Sequence, residues 1–209
     1  MMTLLTVLSL IASQSSAAEK TFVVDDPGGR NMVKFESKAP LEQVIGTSSK
    51  ITGTISFDPQ EVIKTAKGDL VVDLTSLKTG ISLRDEHLQS ADYLNVVQYP
   101  KATLTILSVE SDDRKSINPG QTVPVTAKGQ LNLHGVEKEV TITGTVSYLS
   151  EIPEMVKMGY PGDLLNVDAS FKINLSDFCI QRPQFLMLKL SEEIIVSVNF
   201  TATTGRAKN

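Results

Sequence analysis

Tryptophan is absent from the 209 residues, and aromatic residues make up only 5% of them. An apolar interior must therefore be built mainly from Val, Ile and Leu. There is one cysteine, Cys179, so no internal disulfide can form and the fold rests on its core. The chain has no basic run or Arg/Lys stripe and a net charge of −4, which removes nucleic acid as a partner. No apolar run approaches the ~20 residues of a membrane span. Histidine occurs only at His87 and His134. A zinc site needs three or four ligands, and neither His sits in a helical HExxH pattern, so no metal centre is expected.

What is present begins with an apolar run, Leu4 to Ala12, followed by Ser16-Ala17-Ala18. Small residues at Ser16 and Ala18 suit a secretory cleavage site, although no Lys or Arg precedes the run. Residues 1–18 are therefore expected to be a signal peptide and 19–209 a single domain, periplasmic or secreted. The other reading of the run is a buried N-terminal strand.

From Thr21 onward the dominant signal is alternation. Val125 to Leu133, Val140 to Tyr148, Val167 to Leu175 and Ile194 to Ala202 each place apolar or small residues at every second position. That is the period of half-buried antiparallel strands. Shorter copies occur at Phe22–Asp25, Met32–Ser37, Ile51–Phe57, Leu70–Leu74 and Thr103–Glu110. Turns are marked by Asn118-Pro119-Gly120, His134-Gly135 and Tyr160-Pro161-Gly162. Helix signal is confined to Pro59–Ala66, with Asp58 as N-cap, and to a short turn at Arg84–Leu88. Nine strands in one small domain must close or stack to manage their edges. An eight-stranded barrel either fills its interior or holds one small ligand. The small inward residues Gly53, Ala127, Gly129, Gly144 and Ala169 are compatible with an unfilled lumen or with tight coiling of the sheet.

The densest polar cluster is Arg84-Asp85-Glu86-His87. Imidazole beside carboxylates can act as a general base. No nucleophile motif accompanies it, so a brace is favoured: Arg84 pairing a carboxylate, Asp85 capping a short helix, Leu88 packing inward. Cys179 reads as a small buried hydrophobe. Arg182 to Leu190 reads as a further strand or a flap over a barrel mouth, and Met155 and Met158 as weak marks of an adaptable surface.

Several of these segments, taken together, resemble the YceI-like family, the polyisoprenoid-binding proteins of the bacterial periplasm. The resemblance rests on Phe22-Val23-Val24-Asp25, Ile51 to Pro59, Thr79-Gly80 with Arg84–Leu88 and Tyr99-Pro100, Gly129 to Val136, and Ile173 to Phe178. Two departures stand out. Gly28-Gly29-Arg30-Asn31 replaces a frequent His-Ser pair, and Cys179 occupies a place where Gly is common.

The resemblance implies an all-β, lipocalin-like, up-and-down antiparallel barrel of about eight strands with one or two short helices. It implies no enzyme activity and no cofactor other than a bound isoprenoid lipid or quinone-like ligand. Carriage, storage and stress response in the cell envelope are the roles it suggests. Transient contact with the envelope membrane and a homodimer are the further associations it brings. The inward positions Phe35, Ile55, Phe57, Leu104, Ile106, Leu131, Ile142, Val146, Phe171, Ile173, Val198 and Phe200 become the candidate lumen lining. Arg84, Asp85 and His87 become its candidate polar mouth. Two alternatives stand beside this reading: an enzyme on a small hydrophobic substrate with His87 as base, and a structural barrel with a filled lumen.

Overall fold

The computed structural model describes residues 18–111 and 116–205. The expected signal peptide lies, apart from Ala18, outside the described residues. Ten antiparallel strands form one continuous sheet: β1 (Lys20–Val24), β2 (Met32–Lys38), β3 (Gln43–Ser48), β4 (Ile51–Phe57), β5 (Lys67–Asp73), β6 (Lys101–Glu110), β7 (Gln121–Leu133), β8 (Val136–Leu149), β9 (Leu164–Asn174) and β10 (Glu193–Thr203). Eight of them close into a barrel in the order β1-β4-β5-β6-β7-β8-β9-β10, with β1 meeting β10 at Val23 and Thr203.

The succession is not strictly up-and-down. After β1 the chain leaves the ring, forms the β2–β3 hairpin and returns as β4. Asp26 makes the departure local. Its carboxylate accepts the backbone N–H groups of Gly28 and Arg30, and Gly29 takes φ 66°. β2 then occupies the remaining edge of β10, from Ile194 to Asn199. β3 pairs with β2 along six residues, and its other edge carries one bridge, in which Thr47 and Lys78 exchange backbone hydrogen bonds of 2.8 and 2.9 Å, beside a Ser48–Ser76 hydroxyl contact.

Three short helices accompany the sheet: α1 (Val62–Thr65), α2 (Ser82–Gln89) and α3 (Pro153–Lys157). α1 starts later than its sequence suggested. Asp58 does not cap it; its carboxylate accepts from Gln60 N, while its own N–H donates to Thr65 Oγ1. Arg182 to Leu190 is neither strand nor long helix but a loop with one 3-10 turn, Gln184–Leu186.

The small inward residues do not line empty space. A Cβ on Gly144 would sit 2.3 Å from the Asp168 carbonyl oxygen, and one on Gly53 would sit 2.0 Å from that of Asp69. At Gly129 the Leu104 side chain takes the room, 2.8 Å from such a Cβ. These residues let neighbouring strands and side chains approach as the sheet coils, so tight coiling accounts for them.

Candidate functional site

The two ends of the barrel are built differently. At the end bearing Phe57 and the start of β1, Phe22 stacks on Phe57 at 5.1 Å and Tyr148 meets both edge-on. Phe22 and Phe200 are fully buried there. Lys20 Nζ donates to Asp163 and, at 2.7 Å, to Tyr148 Oη, which in turn donates to Asp163 Oδ2 at 2.8 Å. Burial pushes the Asp163 carboxyl up, but the Lys20, Glu151 N–H and Tyr148 donors outweigh it and hold it below the ordinary range. The Lys20 ammonium is correspondingly raised, chiefly by its bond to Asp163. This end is filled.

The opposite end is hollow. A cavity of about 170 Å³ lies between the sheet and a cover made of α2, the 3-10 turn Leu74–Ser76 and the loops around Tyr93, Ile180 and Leu190. Its wall is apolar; Thr103 is the sole residue with a side-chain hydroxyl besides Tyr93. Six of the twelve expected lumen residues lie on that wall: Phe35, Leu104, Leu131, Phe171, Ile173 and Val198. The other six, Ile55, Phe57, Ile106, Ile142, Val146 and Phe200, belong to the interior but lie outside the cavity lining. Sequence reasoning missed the cover residues Leu77, Tyr93, Leu94 and Ile180 as lining, whereas Leu88 packs inward as expected and Leu190 lies on the segment that reads as a flap. Their segments lack strand alternation, so the period-two pattern could not reveal them.

The polar cluster on α2 fastens this cover. Asp85 is buried, and its Oδ1 accepts from Thr79 N at 2.6 Å and Thr79 Oγ1 at 2.7 Å. It therefore ties the helix back to the preceding loop instead of capping the helix start. Those two Thr79 donors, helped by the Lys78 and Arg84 charges, hold its carboxyl below the ordinary aspartate value against the effect of burial. Arg84 pairs with Glu42 at 3.0 Å and donates to Thr79 Oγ1, linking α2 to the β2–β3 hairpin. Leu88 lines the cavity from the same helix. His87 faces outward, and its imidazole makes no hydrogen bond among the described residues. No group of three His, Cys, Asp or Glu able to hold a metal occurs among the described residues.

Two further motifs meet beside the cover. His134 and Gly135 form the β7–β8 turn with φ 54° and 76°, and the Tyr99 ring packs edge-on to His134 at 4.8 Å. A Cβ on Gly135 would stand 2.6 Å from that ring, so the turn needs glycine twice over: for its φ and for Tyr99. His134 Nδ1 donates to the Phe178 carbonyl at 3.0 Å. One residue later Cys179 is left-handed, φ 58°, and exposed, not the buried hydrophobe expected from composition. The backbone geometry explains why glycine would suit that place. Met155 and Met158 lie near the filled end, away from the cavity.

The YceI-like domain profile matches residues 22–202. The chain belongs to the YceI-like family. Protein YceI of Escherichia coli O17:K52:H18 is 32% identical over 178 residues, covering 85% of each chain. Among solved structures, Burkholderia cenocepacia BcnA superposes with a TM-score of 0.65 at 17% identity, over 86% of this chain and 99% of its own. A polyisoprenoid-binding domain from Saccharophagus degradans, implicated in plant cell wall breakdown, gives 0.63 at 19% identity, over 87% and 97%. The closed eight-stranded barrel with an added hairpin is thus a YceI-like fold. No described helix is long and apolar enough to cross a membrane.

Proposed function

We propose that the hollow end binds the apolar chain of an isoprenoid-type lipid, polyprenyl or quinone-like, for carriage or storage in the cell envelope. One observation carries this reading: a YceI-like barrel that fills one end with aromatic side chains keeps an apolar cavity at the other. A hollow of that size costs about 4 kcal/mol at ~24 cal/mol per Å³. An apolar ligand offsets that cost without any directional bond, at about 25 cal/mol per Å² of its own surface removed from water. The polyisoprenoid-binding domain of S. degradans shares the fold and supports the ligand class.

The volume also sets a limit. A cavity of about 150 Å³ takes one benzene ring, so the resting hollow of about 170 Å³ accepts about one prenyl unit. A longer chain requires the cover to shift. Around that cover Leu41, Ile81, Leu83, Phe185, Met187 and Leu188 are exposed, Phe185 by 82%. Such a fringe suits transient contact with a lipid surface during loading. Arg84 and Asp85 hold the cover in place, while His87 stands exposed beside them without a hydrogen bond among the described residues.

Protein purified from its own host and examined by native mass spectrometry is expected to carry a hydrophobic molecule. Extraction should identify it as an isoprenoid. Repeated isolation of ligand-free protein, with no affinity for polyprenyl or quinone analogues, would overturn the proposal.

A further inference from the structure

The loop from Arg182 to Leu190 differs from the rest of the cover. Ile180 before it and Leu190 at its end both line the hollow, so the chain leaves the cavity wall and returns to it. Between them, among the described residues, no side chain from Pro183 to Lys189 belongs to the interior or to the cavity wall. Yet the stretch reads Phe185-Leu186-Met187-Leu188, and Phe185, Met187 and Leu188 are exposed. Bulky apolar side chains grouped in this way on a surface loop gain nothing from the fold itself and mark a surface that something covers.

The loop is held by backbone groups instead. Arg182 Nη1 donates to the Leu190 carbonyl at 3.0 Å and closes its base. Within it, Leu186 N–H donates to the Pro183 carbonyl at 2.9 Å and Leu190 N–H to that of Leu186 at 2.8 Å. Toward the barrel, Leu41 N–H donates to the Leu188 carbonyl at 2.9 Å. Leu41 lies in the β2–β3 turn and is exposed as well. An apolar track therefore runs from the cavity wall at Leu190, through Leu188, to Leu41.

We propose that Phe185, Met187 and Leu188, with Leu41 beside them, form an outer subsite for the part of an apolar lipid chain that the hollow cannot hold. The inference rests on the lipid reading above and adds where the second and later units of the chain lie. A hollow of about 170 Å³ holds about one prenyl unit. Each further five-carbon unit must lie against another apolar surface or remain in water. The loop supplies such a surface at the edge of the cavity, and its side chains offer a hydrocarbon chain contact without directional bonds. Continuity with the hollow favours the chain over a protein partner, which would cover the patch and leave the hollow unfilled. The head group then lies beyond the loop, outside the barrel.

The test is a titration of the full chain with prenol, geraniol and farnesol, alcohols of one, two and three prenyl units, followed by NMR at the Met187 and Leu188 methyl groups. Prenol should leave those signals in place, whereas geraniol and farnesol should move them. Affinity should rise about tenfold or more with each added unit, a fraction of the gain from burying five carbons completely. Phe185→Ala combined with Leu188→Ala should cut the ratio of farnesol to prenol affinity about tenfold, and both side chains are exposed, so the fold tolerates their loss. The subsite alone is overturned if all three alcohols bind and the double variant keeps the original ratio. It is equally overturned if farnesol binds without moving the methyl signals, or if only a second copy of the chain or a phospholipid vesicle moves them. Failure of all three alcohols to bind would overturn it together with the lipid reading.

Discussion

The filled end and the hollow end of this barrel are made by the same strands, yet they divide the work. At the filled end Phe22, Phe57 and Tyr148 interlock, and the Lys20–Asp163–Tyr148 cluster closes the rim. At the hollow end aliphatic strand residues face a cover of short helices and loops, and about 170 Å³ stays open. The difference teaches that stability and binding need not share residues. Close packing in one half can tolerate an underfilled other half, because the ladder of hydrogen bonds runs through both.

The sharpest way to break the comparison is to make the same truncation at each end. Phe200→Ala, at a side chain 1% exposed, should cost about 3–5 kcal/mol in urea denaturation. Phe171→Ala should cost clearly less, because its ring borders the cavity and already lacks packing partners on that side. Equal losses would show that the two ends are energetically alike. Filling is the converse. Ala127→Phe pushes into packed interior and should destabilise by about 1–3 kcal/mol. Ala102→Phe projects into the hollow and should leave stability within about 1 kcal/mol while abolishing lipid binding, measured by displacement of a fluorescent polyprenyl analogue.

Smaller effects probe the cover. Asp85→Ala should cost about 1–3 kcal/mol and raise hydrogen exchange at the Thr79 amide, since two donors lose their acceptor. The same brace has a pH signature. The Asp85 carboxyl is depressed in the folded state, so its contribution is fully present above the ordinary value of 3.8 and fades as the pH falls below it through the folded value. Lys20 at the filled end has the opposite sign. Its raised value means stability at that end is lost as the pH climbs past 10.5, while at the hollow end burial raises the Tyr93 phenol, which weakens the cover as the pH climbs past 10.0. The smallest effect expected is that of His87→Ala, an exposed position: stability within about 0.5 kcal/mol and unchanged lipid binding.

Much of this was legible in the sequence, and the gaps have physical causes. Alternation located nine of the ten strands and assigned all twelve candidate lumen residues to the interior. It could not say at what height along the barrel the interior is open, because period two reports which face a residue is on and not how deep it lies. Hence Phe57 and Phe200 were grouped with Phe35 and Phe171. β3 escaped notice because its inward positions are Val44, Gly46 and Ser48, too small and polar to read as an apolar face. Gly46 is small for a reason: a Cβ there would lie 2.2 Å from the Phe35 ring, which rests against it and lines the cavity. The role of Asp85 was half legible. Its place beside a short helix was clear, but its partner Thr79 is found only when the loop folds back.

The bridge between Thr47 and Lys78 has a bearing on how the hollow end breathes. Every other join in the wall around the cavity is a ladder of six or more paired residues, whereas β3 is stitched to the cover by two backbone bonds. At about 1 kcal/mol net apiece, such a stitch parts far more readily than the barrel unfolds. The molecule thus resembles a flask with a rigid base and a sleeve that can be unbuttoned along one line. Its Thr47 and Lys78 amides should exchange with solvent long before those of β7 and β8.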